Sequence, residues 1–128
     1  MEKGTKFAKW VFAGAGTYGV VVLTPLYFLE DRLARDFPPA FSHPDHFYGF
    51  LGVALAWQLA FLLIARDVAR FRPLMLVGVA EKWLSGGAVL LLFAAGRVGG
   101  VSAAPAVVDL LLGGLFVLAY VRTRPRYV

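Results

Sequence analysis

Cysteine is absent from this sequence of 128 residues, and its absence closes several routes to function. Without cysteine there can be no disulfide, no thiolate metal site and no redox thiol chemistry. Helical membrane enzymes that work through a pair of cysteines are excluded for the same reason. Charged residues are also few, at 16%, whereas 59% of the residues are hydrophobic. Soluble domains contain about 45–50% apolar residues, so the composition predicts an all-α integral membrane protein.

Sequence motifs for common reactions are missing as well. The chain contains no GxGxxG, no P-loop, no HExxH and no recognisable Ser-His-Asp arrangement. Its net charge of +5 comes from basic residues at the ends of apolar runs. In that position they favour contact with anionic lipid over contact with nucleic acid. We therefore expect the lipid bilayer, and no nucleic acid, as the partner of the chain.

Four long hydrophobic runs predict an antiparallel four-helix transmembrane bundle in a single domain. A helix needs about 20 mostly apolar residues to cross the hydrocarbon core. The expected spans are residues 7–28, 47–65, 73–95 and 105–121. Pro25 is expected to kink or end the first span. The short turn between the second and third spans predicts that these two helices pack as neighbours.

The only long polar stretch of the sequence separates the first two spans. Leu29, Leu33 and Phe37 recur there at intervals of four residues, with charged residues on the other faces. This spacing predicts a short amphipathic helix in the first extramembrane loop. Pro38 and Pro39 are expected to end it.

Lysine and arginine are distributed unevenly along the chain. The N-terminus, the second loop and the C-terminus together carry nine, whereas the first and third loops carry three. Lys82 is left out of this comparison because it lies inside a span. Basic residues collect on the cytoplasmic side of a membrane, so both termini are expected to be cytoplasmic. The predicted location is a bacterial cytoplasmic (inner) membrane.

A polar layer is expected inside the bundle. Glu81 lies deep in the third span, where an ionisable group is costly and usually faces the bundle interior. Glu81 and Gln58 each lie eight residues from the cytoplasmic end of their spans, about 12 Å inside that edge. Tyr18 falls at nearly the same depth, and Ser85 shares the face of Glu81. This layer is either a satisfied structural feature or a site that binds a polar head or relays a proton.

Two more charged residues, Lys82 and Asp109, lie within the last two predicted spans. Lys82 is about 100° around the helix from Glu81. It need not pair with Glu81, and it can extend toward the cytoplasmic surface as an anchor, although it remains a candidate member of the layer. Asp109 lies four residues into the fourth span, near the outer surface, where the helix dipole favours an acid. We expect a structural role for it, with Arg97 as its partner.

Small residues predict close helix contacts. Ala15 and Gly19 form a small-xxx-small pair in the first span. A longer stripe in the second span predicts a packing seam and consists of Gly49, Gly52, Ala56 and Ala60. A bundle of this size is small, so we expect a homo-oligomer or docking to a larger membrane complex.

The segment His43-Pro44-Asp45-His46 contains both histidines of the sequence. Two histidines and an aspartate within four residues can ligate Zn²⁺, but a full ligand set would need distant carboxylates. The simpler interpretation is a helix start, with Pro44 in its first turn and Ser42 or His43 as its cap. His43 and His46 are therefore weak metal-ligand candidates.

The second and third spans, with their Arg72-Pro73 turn and the Glu81-Lys82 pair, resemble uncharacterised small bacterial membrane proteins with four spans. More loosely, the chain is similar to the DoxX-like group. The resemblance implies a four-helix bundle in the cytoplasmic membrane. Some DoxX-like members are linked to quinone or sulfur oxidation complexes, and no residue of this chain matches that role.

Three functions are compatible with the sequence. The first is a non-enzymatic membrane module, either an accessory subunit or a binder of a lipid, a quinone or a pigment. The second is a small oligomeric proton-coupled transporter with Glu81 as the proton carrier. The third is a membrane enzyme on a lipophilic substrate, with Glu81 and Lys82 as acid and base. The sequence identifies no cofactor.

Overall fold

The computed structural model describes residues 3–36 and 42–125. Its α-helices are α1 (Lys3–Leu23), α2 (Glu30–Asp36), α3 (Pro44–Arg66), α4 (Leu74–Ala94) and α5 (Gly100–Arg122). A 3₁₀-helix, Thr24–Phe28, extends α1. Four of these segments are long and apolar enough to cross a membrane, namely α1 with its 3₁₀ extension, α3, α4 and α5. The predicted all-α four-helix bundle is confirmed.

The first extramembrane loop contains the predicted amphipathic helix. It is α2, which begins with two acids and has Arg35 in its last turn. Pro25 ends the regular part of α1 at Leu23, because the proline lacks the N–H that would continue the helix. The predictions for Phe37, Pro38 and Pro39 concern residues outside the described part of the chain.

The fourth span begins earlier than its proline suggested. We expected Pro105 to open the helix, but α5 begins at Gly100 and contains Pro105. A proline near the start of a helix is tolerated because few backbone bonds are lost there. The backbone N–H groups of Ser102 and Ala103 both donate to the Gly99 carbonyl oxygen, at 3.1 and 3.2 Å.

The bundle consists of two tightly packed antiparallel pairs. Helix α1 packs along α3, and α4 packs along α5. Gly16 and Gly19 let α1 approach α3 closely, because any side chain there would meet Leu62 and Gln58. Helix α1 also contacts α5, which joins the two pairs along one side.

Helices α3 and α4 pack against each other far less than the members of either pair do. The expectation that their short turn makes them close neighbours is therefore wrong along most of their length. The predicted seam on α3 also faces outward, since Gly49, Gly52 and Ala56 are exposed. The face that α3 buries instead consists of Leu51, Gln58, Phe61, Ile64 and Ala65.

Aromatic packing closes the bundle at the end that contains the helix termini Lys3 and Arg122. Phe12 from α1, Phe61 from α3 and Phe116 from α5 are fully buried. The rings of Phe12 and Phe116 stack with their centroids 4.2 Å apart, and Phe61 meets Phe116 edge-on at 4.9 Å. We call this cluster of three buried rings the phenylalanine floor.

Arg72 ties the turn before α4 to the end of α5. Its Nη2 donates to the Tyr120 carbonyl oxygen at 2.7 Å, and its Nε donates to Thr123 Oγ1 at 3.1 Å. The guanidinium also lies 3.8 Å from the centroid of the Tyr120 ring. A cation at a helix C-terminus is favoured by the free carbonyls and the dipole. This contact holds the closed end of the bundle together.

The close approach of α1 to α3 predicts different effects for two nearby glycines. A Cβ at Gly16 would lie 2.8 Å from the Gln58 carbonyl oxygen, whereas one at Gly14 has no neighbour within 4 Å. We expect Gly16→Ala to lower the free energy of unfolding by about 1–3 kcal/mol, as overpacked sites do. Gly14→Ala, the matched control, should change it little. Unfolding in one mild detergent, followed by circular dichroism, measures both, and equal stabilities would contradict the proposed close approach.

Candidate functional site

Lys82 is the most buried charged residue of the described structure, with 4% of its surface exposed. Its Nζ lies 3.5 Å from Asp109 Oδ1 and 3.7 Å from Glu81 Oε2. The same ammonium lies 5.3 Å from the centroid of the Phe61 ring, which belongs to the phenylalanine floor. Lys82 is therefore held between two carboxylates and above an aromatic face, an arrangement that stabilises a buried cation.

From the sequence we expected Lys82 to act as an anchor at the membrane surface and Asp109 to pair with Arg97. Both expectations were wrong, because Lys82 and Asp109 pair with each other. Lys82 does not extend toward a membrane surface, because a counter-charge on α5 lies within reach. Asp109 does not lie in the first turn of its helix, because α5 begins at Gly100. It lies nine residues further on, which places it about 14 Å along the helix. Arg97 is exposed, and Lys82 is the ion-pair partner that Asp109 has in the structure.

Glu81 lies at the margin of the bundle. Its side chain is 19% exposed, and its Oε2 atom is buried. The buried face of α4 consists of Met75, Gly78, Val79, Lys82 and Gly86. We expected Glu81 and Ser85 to lie at the centre of the inward face of α4. That face is instead centred nearer Lys82, and Ser85 is exposed. Glu81 and Ser85 border the seam between α3 and α4.

A cavity of about 140 Å³ lies between the four spans, and residues from each of them line it. The five residues singled out from the sequence are all among these lining residues: Tyr18, Gln58, Glu81, Lys82 and Ser85. Asp109 also lines the cavity, and sequence reasoning missed it because the start of α5 was misplaced. We call this space the polar cavity.

Two buried oxygen atoms at the polar cavity lack a hydrogen-bond donor. The Gln58 Nε2 atom donates to the Ala54 carbonyl oxygen at 2.9 Å, which fixes the amide orientation and leaves Oε1 as a free acceptor. Gln58 Oε1 and Glu81 Oε2 have no hydrogen-bond partner among the described residues. An unsatisfied buried acceptor costs about 1–3 kcal/mol, so the site favours a group that donates hydrogen bonds.

An apolar cleft of about 470 Å³ follows the loose seam between α3 and α4. Val53 and Trp57 line it on α3, and Leu84 lines it on α4. Four residues line both the cleft and the polar cavity: Phe50, Ala54, Glu81 and Ser85. The two spaces are therefore adjacent, one apolar at the bundle surface and the other polar inside.

The two histidines lie together at the start of α3. The ligating atoms of His43, Asp45 and His46 are within 4.8 Å of one another, and all three residues are exposed. Pro44 occupies the first turn as predicted, and His43 is the cap residue, without a side-chain capping bond. The metal site stays a prediction, with its ligands on one exposed turn.

No protein-family model, curated protein or solved structure matches this chain. The four apolar helices define it as a multi-pass membrane protein. The DoxX-like resemblance stays a prediction, since no comparison supports it.

Removing the Lys82 ammonium should leave Glu81 and Asp109 without the cation that they share. We expect Lys82→Met to lower the free energy of unfolding by about 3 kcal/mol, because a buried charge loses its partner. The double variant Lys82→Met/Asp109→Leu should recover much of that loss. Arg97→Ala should have little effect on unfolding in the same detergent. A larger loss for Arg97→Ala than for Lys82→Met would show that the ion pair is assigned wrongly.

Proposed function

We propose that this protein is a non-enzymatic membrane module that binds one amphiphilic molecule of the lipid bilayer. The observation that carries the proposal is the adjacency of the apolar cleft and the polar cavity, with Glu81 and Ser85 lining both. A molecule with a hydrocarbon part and a polar head matches these two spaces in turn. The hydrocarbon part would lie in the cleft and the head beside Lys82.

The position of the cleft supports entry from the side. Helices α3 and α4 are the loosely packed neighbours of the bundle, and Trp57 and Leu84 form part of the cleft between them. In a membrane this seam faces the lipid chains, so an amphiphile can reach the polar cavity without crossing bulk water.

The setting of the proposal is a bacterial cytoplasmic membrane with both termini in the cytoplasm. The nine-to-three distribution of basic residues supports that orientation. A homo-oligomer or a larger membrane complex is part of the same proposal. Gly52 and Ala56, exposed small residues of α3 that do not line the cleft, support association through that helix.

Occluding the junction between the two spaces tests the binding function. Ala54 lines both, so Ala54→Phe should block access to the polar cavity. We expect native mass spectrometry of the purified protein to detect a bound lipid, quinone, pigment or other amphiphile, and Ala54→Phe to lose it. Ala104→Phe places the same ring on an exposed position of α5 and should retain it. A wild-type protein that is free of ligand and monomeric in mild detergent would contradict the proposal.

A proton-coupled transporter is the second candidate, and the two carboxylates at one buried ammonium favour it. On this hypothesis Glu81→Gln should abolish proton-coupled flux in proteoliposomes while the fold is retained. Asp45→Asn, at an exposed position on α3, is the matched control and should leave flux unchanged. Unchanged flux in Glu81→Gln would rule Glu81 out as the proton carrier.

A further inference from the structure

The polar cavity contains more acidic than basic side chains. Among its lining residues, Glu81 and Asp109 are acidic and Lys82 is basic. A lone uncompensated charge is costly away from water. A group that enters the cavity is therefore favoured when it is positively charged.

Hydrogen-bonding capacity points to the same kind of group. Gln58 Oε1 and Glu81 Oε2, the two buried side-chain atoms without a hydrogen bond in the described part of the chain, are both acceptors. The donors of Lys82 face carboxylate oxygens. An incoming group must then supply N–H or O–H donors. A quinone carbonyl, which only accepts, does not complement these atoms.

We propose that the polar cavity recognises the protonated amino group of a single-chain amphiphile, whose hydrocarbon chain occupies the apolar cleft. This inference rests on the proposed function and specifies its ligand class. An alkylammonium group adds a second positive charge beside two carboxylates that share one lysine, and it supplies N–H donors for the two oxygens without a hydrogen bond. A phospholipid amine fits less well, because its phosphate would bring a negative charge toward Glu81 and Asp109.

Four amphiphiles with the same dodecyl chain separate charge from hydrogen bonding. Dodecylammonium carries both, dodecyltrimethylammonium carries charge without N–H donors, dodecanol donates without charge, and dodecyl sulfate is an anion. Each is titrated calorimetrically into the full-length protein in a non-ionic detergent. We expect dodecylammonium to bind about ten- to a hundred-fold more tightly than the other three, as the loss of one charged hydrogen bond implies.

Single substitutions test which residues recognise the ammonium group. Glu81→Gln keeps the shape of the side chain and removes its charge, so it should weaken dodecylammonium binding to the level of dodecanol. Asp45→Asn removes an exposed carboxylate outside the cavity and should leave binding unchanged. Ala54→Phe should abolish the binding of all four amphiphiles to the protein. The heat that remains with this variant then measures their partition into the detergent micelle.

The outcomes also separate this inference from the proposed function. If the four amphiphiles bind equally and Ala54→Phe abolishes their binding, the cleft binds a chain and the ammonium assignment is overturned. Tighter binding of dodecyl sulfate overturns it as well and assigns the head to Lys82. If none of the four binds above the Ala54→Phe level, and no molecule is found on the purified protein, both proposals fail together.

Discussion

The Lys82 ammonium, placed between Glu81 and Asp109, is the interaction on which the interior of this bundle depends. An ion pair away from water stabilises a fold only when its geometry and further contacts offset the free energy lost on dehydration. Asp109 reaches Lys82 from a neighbouring helix, and the Phe61 ring lies beneath the ammonium. The site thereby brings charge into an otherwise apolar core, and it leaves one carboxylate in excess.

Two spaces of different character follow from the unequal packing of the helices. Small residues draw α1 onto α3, and α4 onto α5, so these pairs are close along their length. Helices α3 and α4 lack such an interface, and the apolar cleft lies where they separate. The phenylalanine floor and Arg72 keep the opposite end closed. The bundle is therefore tight at one end and accessible from the side at the other.

Much of the fold was predictable because its determinants are local or additive. The lengths of the hydrophobic runs predicted the four spans. Counting residues from the cytoplasmic end of each span placed Tyr18, Gln58 and Glu81 at one depth. The exact face of α4 was not predictable, since Glu81 and Lys82 are adjacent and the choice between them depends on α5. The partner of Lys82 was missed for a related reason: Pro105 suggested a late helix start, and a shift of five residues moves Asp109 from the surface to the interior.

The pairing of Lys82 with Asp109 has a consequence for biogenesis. Both residues belong to one helical hairpin, α4 with α5, joined by a short turn. During insertion of that hairpin their charges can neutralise each other before α1 and α3 dock. The α4–α5 hairpin also contains Glu81, so it would enter the bilayer with two carboxylates around one ammonium. The counter-ion of Lys82 thus arrives within the same two-helix unit and does not have to be supplied by α1 or α3.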